Sequence, residues 1–145
     1  MRIALASDHA GRQLRLAVVE HLREGGHEIS DLGTHTADSV DYPHYAKRIA
    51  TTVAQADADL GILVCGTGVG MSIAANHVRG ARAALCVNEY MARLARAHNN
   101  ANVLCLGERV LGVGAALSIV DAFLSTSFEG GRHARRVEQI EDWEK

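Results

Sequence analysis

Aromatic residues are scarce in this chain: two Phe, three Tyr and one Trp, 4% of 145 residues. The core must therefore be built from Ala, Val, Leu and Ile, a composition that suits helices packed on a buried parallel sheet. Neither sign of charge is in excess, since 15 Lys and Arg stand against 17 Asp and Glu, for a net charge of −2. That balance argues against a nucleic-acid partner, and no charged tail points to a membrane surface. Long apolar runs are also missing, so no membrane span is predicted. Met1–Ala6 is too short for the apolar region of a signal peptide and meets Asp8 and His9 at once. Cys65, Cys86 and Cys105 are odd in number and lie in or beside apolar runs. A disulfide framework is not expected, and a reducing, cytoplasmic setting is. Internal repeats, low-complexity tracts and inter-domain linkers are lacking. Residues 1–145 are thus predicted to form one domain.

Several chemistries lack their signatures. The eight histidines include no HExxH, and the cysteines no CxxC, so no structural or catalytic metal is expected. No GxSxG elbow marks a serine nucleophile. The glycine-rich segment after Cys65 lacks the Gly-Lys-Ser/Thr ending of a P-loop. It also departs from the dinucleotide fingerprint, because Met71 stands where the third glycine belongs.

What is present is a regular alternation. Arg2–Ser7, Glu28–Leu32, Leu60–Cys65, Ala83–Val87 and Val103–Leu106 read as strands, Leu60–Cys65 most clearly because its apolar run is unbroken. Helical spacing covers Gly11–Glu24, with Leu14, Val18 and Leu22 on one face and Arg12, Arg15 and Arg23 elsewhere. Gly25-Gly26 ends that helix. Pro43, the only proline, suits the first turn of a helix over roughly His44–Ala56. Further helices are predicted over about Met71–Val78, Glu89–Ala97 and Gly112–Leu124, with a charged helix from Gly131 to near Trp143. Alternation of this kind implies an α/β fold. We expect a Rossmann-like three-layer sandwich with a five-stranded parallel sheet, helices on both faces and an extra C-terminal helix. Gly131–Lys145 has few apolar residues to pack alone, so it is expected to cross to a partner subunit.

Ligands of open parallel sheets sit beyond the carboxyl ends of strands. That rule selects Asp8-His9, Cys65–Gly70 and the segment after Val87. In Cys65-Gly66-Thr67-Gly68-Val69-Gly70, glycines let backbone approach a ligand, and the following helix start offers unpaired N–H groups. A helix start also favours a thiolate, which can act as nucleophile or base. A tight turn with a merely buried thiol is the plain alternative. Asp8 could equally be an N-cap. His98, ahead of Asn99 and Asn102, is placed between a helix and the fifth strand as an acid or base, or simply as a loop histidine. Arg132 and Arg136 share a helical face that suits a phosphate, as does Arg109, though a solvated charged face has the same pattern.

Taken together, these segments resemble one family along nearly the whole chain, from about residue 2 to 140. They are Ser7-Asp8-His9-Ala10-Gly11, Asp41-Tyr42-Pro43-His44-Tyr45-Ala46, Cys65–Gly70, Ile73-Ala74-Ala75-Asn76, His98-Asn99, Asn102-Val103-Leu104 and Glu129-Gly130-Gly131-Arg132-His133. The family is ribose-5-phosphate isomerase type B, with the related galactose-6-phosphate isomerase subunits. The resemblance implies an aldose–ketose isomerase of the non-oxidative pentose phosphate pathway. It further implies a homodimer or homotetramer with sites shared between subunits, and a small sugar phosphate as substrate. By it, Cys65 matches the base moving a proton between C1 and C2, and His98, with Asp8 nearby, the acid that opens the sugar ring. Thr67 and the amides of Gly66, Thr67, Gly68, Val69 and Gly70 match the group holding the open-chain oxygens. His9, Arg109, Arg132 and Arg136 match phosphate-side positions, Asn99 a hydrogen-bonding position and Tyr42 the edge of the site. Some members use a glutamate where this chain has Met71, which cannot take a proton, so the base falls to Cys65. The implied chemistry has no redox step, and no cofactor is required. A hexose 6-phosphate (allose or galactose) would use the same machinery, and a non-catalytic sugar-phosphate-binding module is a further alternative.

Overall fold

The structure is a computed structural model that describes residues 1–143; the last two residues of the expected C-terminal crossing lie outside them. Five strands alternate with helices. They are β1 (Arg2–Ser7), β2 (Glu28–Asp31), β3 (Leu60–Cys65), β4 (Ala83–Leu85) and β5 (Val103–Gly107). The helices are α1 (Arg12–Glu24), α2 (Tyr42–Ala54), α3 (Val69–Ala75), α4 (Glu89–Asn99), α5 (Val113–Ser125) and α6 (Arg132–Glu141). All the strand pairs are parallel, in the order β2-β1-β3-β5-β4. The expected single-domain, Rossmann-like three-layer sandwich is what forms.

Strand periodicity divides the core in two. Ile3 and Leu5, Ile62 and Val64, and Leu104 and Leu106 face α1, α4 and α5, where Phe123 and Ile119 complete the packing. Their strand neighbours Ala4 and Ala6, Leu63 and Cys65, and Val103 and Cys105 face α2 and α3. Helix α2 sets Ala46, Ile49 and Ala50 on that side, all fully buried. The alanines of β1 and α2 allow close approach without aromatic filler, the structural counterpart of the low aromatic content. Among the described residues, no helix is long and apolar enough to cross a membrane.

The strand order fixes where a ligand can sit. From β1 the chain passes to β2 on one side and then to β3 on the other, so the topology switches direction between β1 and β3. A crevice opens beyond their carboxyl ends. Asp8 follows β1 there and Cys65 closes β3; the Asp8 N–H still donates to the Val64 carbonyl at 3.3 Å.

Several elements differ from expectation for identifiable reasons. Helix α3 starts at Val69, two residues early, because Gly68 adopts a left-handed conformation (φ 80°) and caps it. It stops at Asn76, whose side-chain amide donates to the Ala83 carbonyl at 2.9 Å and accepts the Ala83 N–H at 2.8 Å. That clamp ties the helix end to β4. Helix α4 runs on to Asn99 and ends where Asn100 turns left-handed (φ 46°). His98 and Asn99 therefore belong to its last turn, not to the expected loop. Arg15 is not on a solvent face but buried, with 1% of its surface exposed. Helix α6 packs on α4 of the same chain through buried His133 and Val137, while Arg82 pairs with Glu141 at 2.9 Å. Ile140 and Trp143 are left exposed beside it.

Candidate active site

A cavity of about 470 Å³ opens at the switch point, lined by Asp8, His9, Ala10, Tyr42, Cys65, Gly66, Thr67, Val69, Gly70, Ile73 and Arg109. Nine of the residues singled out from sequence thus meet in one place: Asp8, His9, Tyr42, Cys65, Gly66, Thr67, Val69, Gly70 and Arg109. Gly68 lies buried behind them.

Cys65 ends β3 with its side chain on the α2–α3 face. Its Sγ accepts the Gly68 N–H at 3.1 Å. A donor fixed on sulfur stabilises negative charge there. Gly68 can aim its amide back because of its positive φ, which a side chain would oppose. The Thr67 Oγ1 accepts the Val69 N–H at 3.3 Å. Two of the loop's amides are therefore already engaged, whereas Gly70 lies in the first turn of α3, where N–H groups have no helical partner. Gly70 also admits the Tyr42 ring, since a Cβ there would fall 2.6 Å from Cζ.

The loop is held down by the end of β5. A Cβ at Gly107 would lie 2.6 Å from the backbone carbon and oxygen of Thr67. We expect Gly107→Ala to cost about 1–3 kcal/mol, as overpacking does, and to lower turnover by displacing Thr67. Denaturation midpoints and kcat measured together check this; an unchanged pair would contradict the contact. Arg109 follows at once. Its N–H donates to the Gly66 carbonyl at 3.0 Å, and its guanidinium lies over Gly66, with Nη1 3.2 Å from where a Cβ would be.

Asp8 is buried, and its Oδ1 accepts the Gly11 N–H at 3.0 Å, closing the turn into α1. Gly11, not Asp8, is the N-cap. The His9 Nδ1 accepts the Val40 N–H at 3.1 Å. A backbone N–H only donates, so the ring proton sits on Nε2, which is left as a donor.

Two supporting residues have no signature in the sequence. Glu108 reaches from the end of β5 to accept the Leu14 N–H at 3.0 Å, capping α1 across the sheet edge. Arg15 donates through Nη1 to the Ser7 Oγ and the Thr34 carbonyl, both at 2.7 Å, and its Nε lies 3.1 Å from Asp31. Both tie down the segments that carry Arg109 and Asp8.

His98, Asn99, Arg132 and Arg136 do not line this cavity. They gather where α4 ends and α6 begins. The His98 and His133 rings stack with centroids 4.0 Å apart and planes 8° apart. Burial, followed by the neighbouring His98 and Arg132 charges, lowers the His133 pKa. Arg132 and Arg136 are exposed and form no salt bridge among the described residues. Cys86 and Cys105 are buried away from the cavity; burial pushes the Cys86 thiol up to about 11 and raises that of Cys105 still more.

The model of the Ribose/Galactose Isomerase family matches residues 3–140. The chain belongs to that family. Ribose-5-phosphate isomerase B of Escherichia coli strain K12 is 51% identical over 139 residues, which cover 96% of this chain and 93% of that protein. Among solved structures, ribose-5-phosphate isomerase B of Clostridium thermocellum superposes with a TM-score of 0.97 at 51% identity, covering 98% of this chain and 96% of that one. Ribose-5-phosphate isomerase B of Mycoplasma genitalium, solved with bound ribulose-5-phosphate, gives a TM-score of 0.93 at 48% identity, covering 97% and 93%. In this member of the ribose/galactose isomerase family, Met71 is fully buried beneath α3, so the residue after Gly70 presents no group to the cavity.

Proposed function

We propose that this chain interconverts D-ribose 5-phosphate and D-ribulose 5-phosphate through an enediolate, with Cys65 as the base. One observation carries the reading: the Cys65 sulfur stands at the carboxyl end of β3, in the wall of the cavity, under the Gly68 N–H at 3.1 Å. Membership of a sugar-phosphate isomerase family, and a relative solved with ribulose-5-phosphate, supply the substrate class.

The thiolate removes the proton from C2 of the open-chain aldose. Electrons move into the C1–O1 carbonyl, giving the enediolate with its charge on O1. The O2–H proton passes to O1 and the same sulfur returns its proton to C1, giving the ketose. Charge grows on oxygen in the transition state, and the backbone amide of Gly70 together with Thr67 meets it without rearranging. No electrons leave the sugar, so the residues themselves suffice. His9 through Nε2 and Arg109 through its guanidinium bind the phosphate at one end of the cavity, and Tyr42 closes its edge.

Ring opening needs an acid, and full neutralisation of the phosphate needs further cations. We assign the acid to His98 and the cations to Arg132 and Arg136 of a second copy of the chain, with Asn99 of that copy as a neutral hydrogen-bonding group. Half-buried His98 and exposed Asn99, Arg132 and Arg136 all lie away from the cavity of their own chain, which supports a shared site in a homodimer. Loss of one charge-assisted hydrogen bond, about 1.5–3 kcal/mol, corresponds to roughly 10- to 150-fold. Arg136→Ala is accordingly expected to raise KM with little change in kcat. A large fall in kcat at unchanged KM would remove it from the phosphate. The free thiols fit a reducing compartment such as the cytoplasm, and the product pair fits the non-oxidative pentose phosphate pathway. Turnover of ribose 5-phosphate beside allose 6-phosphate tests the assignment: activity on the hexose alone would change the substrate and keep the mechanism.

A further inference from the structure

Glu129 lies between two imidazoles without bonding properly to either. Its Oε2 is 3.7 Å from His98 Nε2 and 3.5 Å from His133 Nε2. Hydrogen bonds from imidazole to carboxylate close at about 2.7–3.2 Å. Ligands of a tetrahedral zinc ion, each about 2.0–2.1 Å from the metal, stand about 3.3 Å apart. The three atoms all lie within 4.8 Å of one another. The spacing is too long for hydrogen bonds and close to that of a metal's coordination edge.

We propose that His98, Glu129 and His133 form a binding site for a divalent transition-metal ion of the Zn²⁺ type. Two imidazoles and a carboxylate are a known zinc donor set that leaves a fourth position for water or an anion. The same set discriminates against Mg²⁺, which prefers oxygen ligands. The backbone carrying the donors is held, while the Glu129 side chain is exposed and free to turn. The Glu129 N–H donates to the Ala97 carbonyl at 3.0 Å, and that of His133 to the Gly130 carbonyl at 3.1 Å. His133 is buried on α6, and His98 sits in the last turn of α4. The rings are now nearly parallel, 8° apart, so each must rotate by roughly 50° for both lone pairs to meet at one tetrahedral ion. Arg132 and Arg136 nearby weaken the hold on a cation and favour an anionic fourth ligand. Sequence spacing could not reveal the site, because its donors come from α4, the loop before α6, and α6.

Occupation would take the lone pair of His98 and stop the isomerase. That consequence rests on the acid role proposed above for His98; the metal site does not. The test uses metal-free full-length protein titrated with Co²⁺ and read by visible absorption. Four-coordinate bands that Zn²⁺ abolishes and Mg²⁺ does not are expected. No thiolate charge-transfer band should accompany them. Glu129→Gln and His133→Gln should each weaken binding by at least about tenfold, since even outer-shell partners are worth about 10- to 100-fold. Circular dichroism confirms that each variant is folded. Zn²⁺ should inhibit turnover reversibly by chelation, and less so in Glu129→Gln relative to that variant's own metal-free rate. Absence of the bands, equal binding by both variants, or a thiolate band assigning the ion to Cys65 would overturn the site. Binding with unaltered turnover would overturn the inhibition and the acid role of His98 together.

Discussion

Cys65→Ala is expected to leave a folded protein with almost no turnover. The side chain is small and 5% exposed, so truncation removes little packing. What it removes is the sulfur proposed above to take a carbon-bound proton and give it back. A positioned general base contributes about 10²–10⁴-fold, and here the same group serves both transfers. Cys65→Ser keeps an acceptor for the Gly68 N–H but offers a far weaker acid, so a trace of activity is expected. Iodoacetamide should inactivate the protein and be slowed by ribose 5-phosphate. Reaction elsewhere should be negligible, because burial raises the thiols of both Cys86 and Cys105. The measurement is kcat by ribulose 5-phosphate formation, with circular dichroism as the check on folding. Full activity of the alanine variant would end the assignment of Cys65 as base.

The elements that carry Cys65 were legible because local and global signals agree there. Leu60–Cys65 is an unbroken apolar run followed by alternating glycines, and it forms β3 and the turn into α3. Arg2–Ser7 likewise forms β1, with Asp8 and His9 at its end. The boundaries that shifted depend on single conformations or distant partners. Left-handed Asn100 extends α4 through His98, and the Asn76 clamp to Ala83 shortens α3. Glu108 was illegible because its partner, the Leu14 N–H, is remote in the chain. The division of the candidate residues between a cavity and a separate surface group was invisible for the same reason. Motif order is a one-dimensional property, and whether His98 faces Cys65 of its own chain is not.

Arg15 is the strongest case of a residue that local pattern misreads, and its replacement is expected to have the largest effect on stability. Helical spacing sets it off the face of Leu14, Val18 and Leu22. Instead it is buried where β1, β2 and α1 meet, where its Nη1 donates to the Ser7 Oγ and the Thr34 carbonyl and its Nε pairs in charge with Asp31 at 3.1 Å. Burial lowers its pKa and the Asp31 carboxylate opposes that shift. Removing one partner of a buried ion pair costs about 3–5 kcal/mol because the other is left uncompensated. A domain is stable by only about 5–15 kcal/mol, so Arg15→Met should lose a large share of that margin in chemical denaturation. Arg15→Lys should recover little, since a point-like ammonium cannot both reach the two acceptors of Nη1 and keep a charge beside Asp31 as the extended guanidinium does. The double variant Arg15→Met with Asp31→Asn should recover part, because it removes the stranded carboxylate. Ser7 immediately precedes Asp8, so any Arg15 variant that stays folded should also bind substrate less well. A loss below about 1 kcal/mol, the level of an exposed pair, would show that Arg15 is dispensable to the fold and that the Asp8–His9 turn is held by its own backbone.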